Sequence, residues 1–325
     1  MVAQAALVCH RGAREVTRDE LSRVGCPPPQ GRWRPVPHAQ VLGYAEQALT
    51  QLERIASQRP DLAALTAMHA ALIRVTFRDQ PPIPRVALDA AHAAAKLAGG
   101  VPLLRGEPLV LDAAWLRERY LHLCDALLDQ PAASASHTAA QALKQAVSRR
   151  VLDVHALAIE ILAGDPGAVA EQAARLDLDA GLAATVLRWT VLPVLEQVAI
   201  QLQPLRQHAD WQAGYCPTCG AWPLLAEQRG LEQTRLLRCG VCASEWTLER
   251  LLCPFCGSRS HTDIAYLYEE AQEAAQRAVT CERCHCYYKA LATLVPLTTP
   301  QLLVADLATV HLDLIVLDRA YAPPA

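Results

Sequence analysis

Residues 215–290 read YCPTCGAWPLLAEQRGLEQTRLLRCGVCASEWTLERLLCPFCGSRSHTDIAYLYEEAQEAAQRAVTCERCHCYYKA, and no other part of the chain constrains the structure as tightly. Four Cys-x-x-Cys pairs fall here, at Cys216/Cys219, Cys239/Cys242, Cys253/Cys256 and Cys281/Cys284. A Cys-x-x-Cys turn places two sulfurs on one side of a tight loop, and a second turn about twenty residues on can close a tetrahedron around one ion. The intervening gaps are nineteen, ten and twenty-four residues, a rhythm that predicts two successive ribbons, each with one four-thiolate site. Pairing the two middle knuckles across the ten-residue gap is the alternative, and it strands the outer pairs as a remote second site.

Zinc ribbons and rubredoxin-like sites share a knuckle of the form Cys-x-x-Cys-Gly, in which glycine permits the positive φ that turns backbone N–H groups toward sulfur. Gly220 and Gly257 hold that position, whereas CGVCA and CERCH lack it, so a less regular N–H to sulfur pattern is expected at the second and fourth knuckles. Cys286 creates a Cys-x-x-Cys-His-Cys run in which His285 or Cys286 is a possible alternative ligand, although Cys286 is read as pointing away from the ion. Cys9, Cys26 and Cys124 have no spaced partners, and Cys124 reads as a small core residue.

Working outward, residues 38–208 carry helical periodicity. Val41, Ala45, Ala48, Leu52 and Ile55 line one face from His38 to Gln58, and a second helix runs from Asp61 to about Arg78 with Leu62, Leu65, Met68, Leu72 and Val75 on one stripe. A third spans Val86 to Ala98 and closes at Gly99-Gly100. Asp112 caps a helix with Leu116, Tyr120, Leu123 and Leu127 inside, and Thr138-x-x-Gln141 has the capping-box form before one long stripe ending at Gly164. Asp165 and Asp179 read as two further starts, the last helix reaching about Gln207 across Pro193. Beyond His208 come short strands, WPLLAEQ, TRLLRC, EWTLERLLC, DIAYLYEE and RAVTC, then a final helix with Leu307, Val310, Leu314 and Leu317 on one face after an Asp306 cap.

The fold class expected is α+β: an irregular segment 1–37, an all-α domain 38–208, four-cysteine modules at 209–247 and 248–297, and a C-terminal helix and tail at 298–325. Ribbons with little apolar volume should depend on metal for folding, and the helices should not.

The chain has 325 residues, twelve cysteines and a net charge of −3, and the Asp210–Lys289 segment holds ten acidic against eight basic residues. A phosphate-binding surface should be basic, so nucleic acid is not the expected partner. No run approaches eighteen apolar residues and no export signal opens the sequence, which predicts a cytoplasmic protein with reduced thiols and no stable membrane insertion. An ion with four protein ligands has no open position for water or substrate, and no phosphate loop, nucleophile elbow or His-Glu-x-x-His motif is present, so no enzymatic activity is expected.

The order CPTCGAWP, CGVCASEW, CPFCG and CERCHCYYK, followed by DLATVHLDLIVLDRAY, closely resembles the FdhE family of formate dehydrogenase accessory proteins, with weaker likeness through WRPVPHA and GVPLL. The resemblance implies a cytoplasmic accessory factor needed for active formate dehydrogenase, binding its catalytic subunit during maturation. It also implies two rubredoxin-like iron sites, one on Cys216, Cys219, Cys239 and Cys242 and the other on Cys253, Cys256, Cys281 and Cys284, with zinc as the alternative metal. The sequence departs from the family pattern in Cys286 and in its ending, YAPPA, where members continue with Gly, Arg and Asn-Pro. The alternative functional classes are a zinc-ribbon nucleic-acid binder and a thiol or iron electron-transfer protein.

Overall fold

The computed structural model describes residues 37–130, 135–165, 167–206, 209–269 and 275–323, so the readings on Cys9, Cys26 and the irregular segment as far as residue 36 lie outside it. Helix α1 (His38–Gln58) buries Ala45, Ala48 and Leu52, and α2 (Ala63–Thr76) follows a single 3₁₀ turn at Pro60–Leu62. The buried face of α2 is rotated from the predicted stripe: Thr66, Leu72, Ile73 and Thr76 are inside, while Leu62, Leu65 and Met68 are only half-buried. Thr66 can take an inner position because a threonine hydroxyl can return to its own helix: Thr66 Oγ1 donates to Ala63 O at 2.9 Å, whereas the Thr76 hydroxyl is buried without a hydrogen-bond partner among the described residues.

Aspartate caps set the next boundaries. Asp89 accepts from His92 N and starts α3 (Ala90–Ala98), so the predicted start at Val86 is four residues early and 86–89 lies outside the helix. Asp112 starts α4 (Ala113–Leu128), whose Leu116, Tyr120, Leu123 and Leu127 are buried as expected, with Cys124 beside them. The predicted long helix ending at Gly164 is two helices, α5 (Ala135–Ser148) and α6 (Val154–Ala163). Arg150 turns into the left-handed region at φ 59°, Asp153 accepts from the amides of His155 and Ala156 to start α6, and Thr138 lies inside α5 and not at its cap. A cap of this kind is worth about 1 kcal/mol, enough to redirect a chain where apolar periodicity alone would continue the helix.

Helix α7 (Gly167–Arg175) leads into α8 (Ala180–Arg206), the centre of the body, with Trp189, Leu192, Leu195 and Val198 among its buried side chains. By length and apolarity α8 is the one described helix able on its own to cross a membrane; 72% of its most apolar window is buried within the protein, the pattern of a core helix.

The six strands are β1 (Pro223–Arg229), β2 (Thr234–Cys239), β3 (Glu245–Thr247), β4 (Ile264–Leu267), β5 (Gln276–Cys281) and β6 (Tyr287–Thr293). They form one sheet in the order β3-β2-β1-β6-β5-β4. Strand β6 has no counterpart among the predicted strands, and it joins the ribbons. Its parallel pairing with β1, from Leu225↔Lys289 to Arg229↔Thr293, turns two three-stranded modules into a continuous sheet. The first strand of one module thus pairs with the third strand of the next.

Buried charge seals this junction. Glu227 on β1 is 0% exposed and pairs with Arg238 and, at 3.2 Å, Arg229. Glu227 also accepts from Thr293 Oγ1 at 3.0 Å and Leu297 N at 3.2 Å. On β6 itself, Lys289 Nζ reaches Asp306 and Asp313, each at 2.7 Å.

The C-terminal helix is also divided, into α9 (Thr299–Ala308) and α10 (Val310–Asp318), which bend by 46° at Thr309. Thr298 and Gln301 form the capping box; Asp306 does not cap, because it faces Lys289. Helix α9 packs against α1 and α2, and α10 covers β4 and β5 through Leu312 and Val316. That division leaves Leu314, predicted to lie inside, 65% exposed.

Candidate metal centres

Each knuckle is held by the same backbone device. The amide of the first cysteine donates to the carbonyl five residues on: Cys216 to Ala221 and Cys253 to Ser258 at 2.8 Å, Cys239 to Ser244 at 2.9 Å, Cys281 to Cys286 at 3.0 Å. The residue after the second cysteine is left-handed in all four turns: Gly220 at φ 87°, Ala243 at 57°, Gly257 at 71° and His285 at 55°. At the second knuckle the expected irregularity is therefore corrected. Val241 N and Cys242 N donate to Cys239 Sγ at 3.4 and 3.5 Å, matching Thr218 N to Cys216 Sγ at 3.4 Å. Closing a four-sulfur cluster outweighs the roughly 1 kcal/mol cost of a left-handed alanine. Ala243→Gly is accordingly expected to stabilise the protein by about 1 kcal/mol, raising Tm by roughly 2–4 °C in a thermal melt. An unchanged or lower Tm would show that the Ala243 methyl contributes more by packing than its backbone strain costs.

The sulfurs gather as two quartets, Cys216, Cys219, Cys239 and Cys242 in one and Cys253, Cys256, Cys281 and Cys284 in the other, with all ligand atoms of a quartet within 4.8 Å. The alternative pairing of the middle knuckles is not what the chain adopts. Cross-knuckle contacts are 3.6 Å for Cys216–Cys242, 3.5 Å for Cys219–Cys239, 3.8 Å for Cys253–Cys284 and 3.7 Å for Cys256–Cys281. A disulfide requires about 2.05 Å, whereas a tetrahedron on metal–sulfur bonds of about 2.3 Å has sulfur–sulfur edges of about 3.8 Å. Burial, then the neighbouring sulfurs, push the Cys239 thiol well above its ordinary range, and burial holds Cys253 up at about 11. Four thiolates this close are stable together only around a cation, so each quartet can hold one metal ion.

Cys286 and His285 stand outside both quartets. Cys286 Sγ faces the Cys284 carbonyl at 3.6 Å, its backbone bridges to Ala322, and the His285 ring lies 5.8 Å from Tyr321. Residues 321–322 of the divergent ending thus brace the fourth knuckle. Cys124 is buried among α4 side chains, and His69 is a packing histidine, bonded to Leu65 O at 3.0 Å and edge-on to Trp189.

Side chains that sequence reasoning missed support the first centre. Cys242 Sγ meets Ser244 Oγ at 3.1 Å, and Ser244 Oγ donates to Thr218 Oγ1 at 2.9 Å, linking two knuckles. A Ser two residues past the second Cys recurs as Ser258, which donates to Asp263 Oδ2 at 2.5 Å, so the repeated position was the available signal. Leu103 N and Leu104 N donate to Pro217 O and Thr218 O at 2.8 and 2.9 Å, and Tyr215 OH donates to Gly100 O at 2.7 Å. Residues 100–104, after α3, are therefore bonded to the first knuckle.

Five rings, Trp211, Tyr215, Trp222, Phe255 and Tyr288, run edge to face from the first module to the second with centroids 5.4–6.4 Å apart. A Cβ on Gly214 would lie 1.7 Å from Pro254 O, so only glycine lets this chain approach the third knuckle.

The centres differ in cover. All four cysteines of the first are buried, while Cys256 and Cys284 of the second are half-exposed. Chelator added to fully loaded protein should therefore withdraw one equivalent in a fast phase and the other slowly. Cys253→Ser/Cys284→Ser should abolish the fast phase; a single phase in the parent protein would contradict the asymmetry.

These features define a class: a helical body fused to a six-stranded sheet that carries two four-thiolate centres. Residues 251–325 match the family model for the FdhE C-terminal domain. An FdhE homolog from Stutzerimonas stutzeri is 31% identical over 247 residues, covering 75% of this chain and 74% of that protein. One from Pseudomonas aeruginosa is 31% identical over 240 residues, with 70% and 69% covered. The crystal structure of the FdhE protein from Pseudomonas aeruginosa has the same fold, with a TM-score of 0.58 and 24% identity over 89% of this chain and 95% of that one. The chain belongs to the FdhE family.

Proposed function

We propose that this protein is a cytoplasmic accessory factor for formate dehydrogenase, binding the immature catalytic subunit and acting in enzyme maturation without being an enzyme itself. The observation that carries the reading is family membership over three quarters of the chain, together with two complete thiolate quartets. The eight cysteines of the quartets are the proposed ligands of two metal ions, iron in the first instance by family resemblance and zinc otherwise. The proposed metal-folding modules are 209–247 and 248–297. Four protein ligands leave an ion no vacant position for a substrate, which supports a structural or recognition role for the centres.

Deleting the gene in its host should lower formate dehydrogenase activity, and a tagged copy should capture the catalytic-subunit precursor. Protein purified without air should carry two equivalents of metal; ferric iron on thiolate would give visible absorption and zinc none. Full activity in the deletion strain, with tight nucleic-acid binding by the purified protein at moderate salt, would replace this reading with the ribbon-binder alternative.

A further inference from the structure

Beside the first centre lies a cavity of about 640 Å³, within the size range of small-molecule sites. Its walls come from the loop after α3, from α6, α7 and α8, and from the first and second knuckles. Most of the lining is apolar, including Val191, Trp222 and Val241, and no carboxylate takes part in it among the described residues. Two cations do: Arg105 and Arg188, both half-buried.

Neither guanidinium makes a hydrogen bond or ion pair with another described residue, and Arg105 Nε is buried without a partner. Arg105 is nevertheless held in place. A Cβ on Gly164 would sit 2.0 Å from its Nη1 and one on Gly220 3.0 Å from its Nη2, so the guanidinium occupies a slot between two glycines. Cys219, 4% exposed where the other three cysteines of its quartet are 0% exposed, also lines this space. Only Nε of Arg105 is withdrawn from water without a partner, which is costly; the half-buried guanidiniums keep donors open to the cavity, and such a fork bonds a carboxylate strongly and directionally.

We propose that this cavity binds a carboxylate carried on an apolar chain, with the carboxylate between Arg105 and Arg188 and the chain against Val191, Trp222 and Val241. The site is separate from the client-binding reading and does not depend on it. Such a ligand has two sources, a free aliphatic acid or the C-terminal residue of a peptide.

The test uses the full-length metal-loaded chain, titrated by calorimetry and tryptophan fluorescence with octanoate, with octanamide, and with an apolar hexapeptide ending in a free or an amidated C-terminus. At least one carboxylate probe should bind about tenfold or more tightly than its amide. Preference for octanoate identifies a free acid; preference for the free-ended peptide identifies a chain terminus. Arg105→Met or Arg188→Met should erase the discrimination. Ala184→Trp, which fills the cavity and keeps both cations, should abolish binding of the preferred probe, with metal content and circular dichroism unchanged.

If the guanidiniums only offset the charge of the neighbouring thiolates, acid and amide probes will bind alike. That result, absence of binding by both acids, or discrimination surviving both arginine substitutions would overturn the proposal.

Discussion

Replacing Cys216 and Cys239 together by serine is expected to unfold the helical body as well as the first ribbon. All four cysteines of the first quartet belong to the same apolar cluster as Leu72, Leu123, Leu143 and Leu192, whereas none of the second quartet does. Residues Pro35–Ala325 form one compact unit around that cluster. A structural thiolate site contributes on the order of 10 kcal/mol of binding free energy, comparable with the whole stability of an ordinary domain, about 5–15 kcal/mol. The double variant should lose one metal equivalent and most of its cooperative helical transition in circular dichroism. Cys253→Ser/Cys284→Ser, at the half-exposed centre, should lose one equivalent and keep that transition. A Cys216/Cys239 variant that melts like the parent would restore the simpler expectation of helices indifferent to metal.

Removing the Glu227 carboxylate should be nearly as damaging. Glu227→Ala leaves Arg238 buried and uncompensated at the seam where β1 meets β6, and strips an acceptor from Thr293 and Leu297. Breaking a buried pair from one side costs about 3–5 kcal/mol, a fall in Tm of roughly 10 °C or more. Replacing both partners, Glu227→Met with Arg238→Met, should recover much of the loss, because the desolvation penalty disappears along with the attraction. Differential scanning calorimetry of the single and double variants decides this. A double variant as unstable as Glu227→Ala would mean that the hydrogen bonds to Thr293 and Leu297 dominate and the ion pair adds little.

Much of the candidate site was legible because knuckles and caps are local. A Cys-x-x-Cys turn is built within six residues, and Asp112, Asp165 and Asp179 cap amides two or three positions away, so both leave their mark in sequence. The same locality explains the failures. Apolar spacing continued smoothly through 149–153, where the break depends on Arg150 and Asp153, and the Asp306 carboxylate, a plausible cap locally, is taken by a lysine on β6.

By itself the sequence determined the four knuckles, the eight thiols available for metal, the helical character of 38–208 and the family. The knuckle rhythm anticipated the two quartets that the structure shows; only the tertiary structure decided that β6 joins the modules in parallel, that Ala243 and His285 accept left-handed backbone, and that Arg105 and Arg188 line one cavity. The physical reason is range: these depend on contacts between residues tens of positions apart, whose free energy no short window of sequence contains.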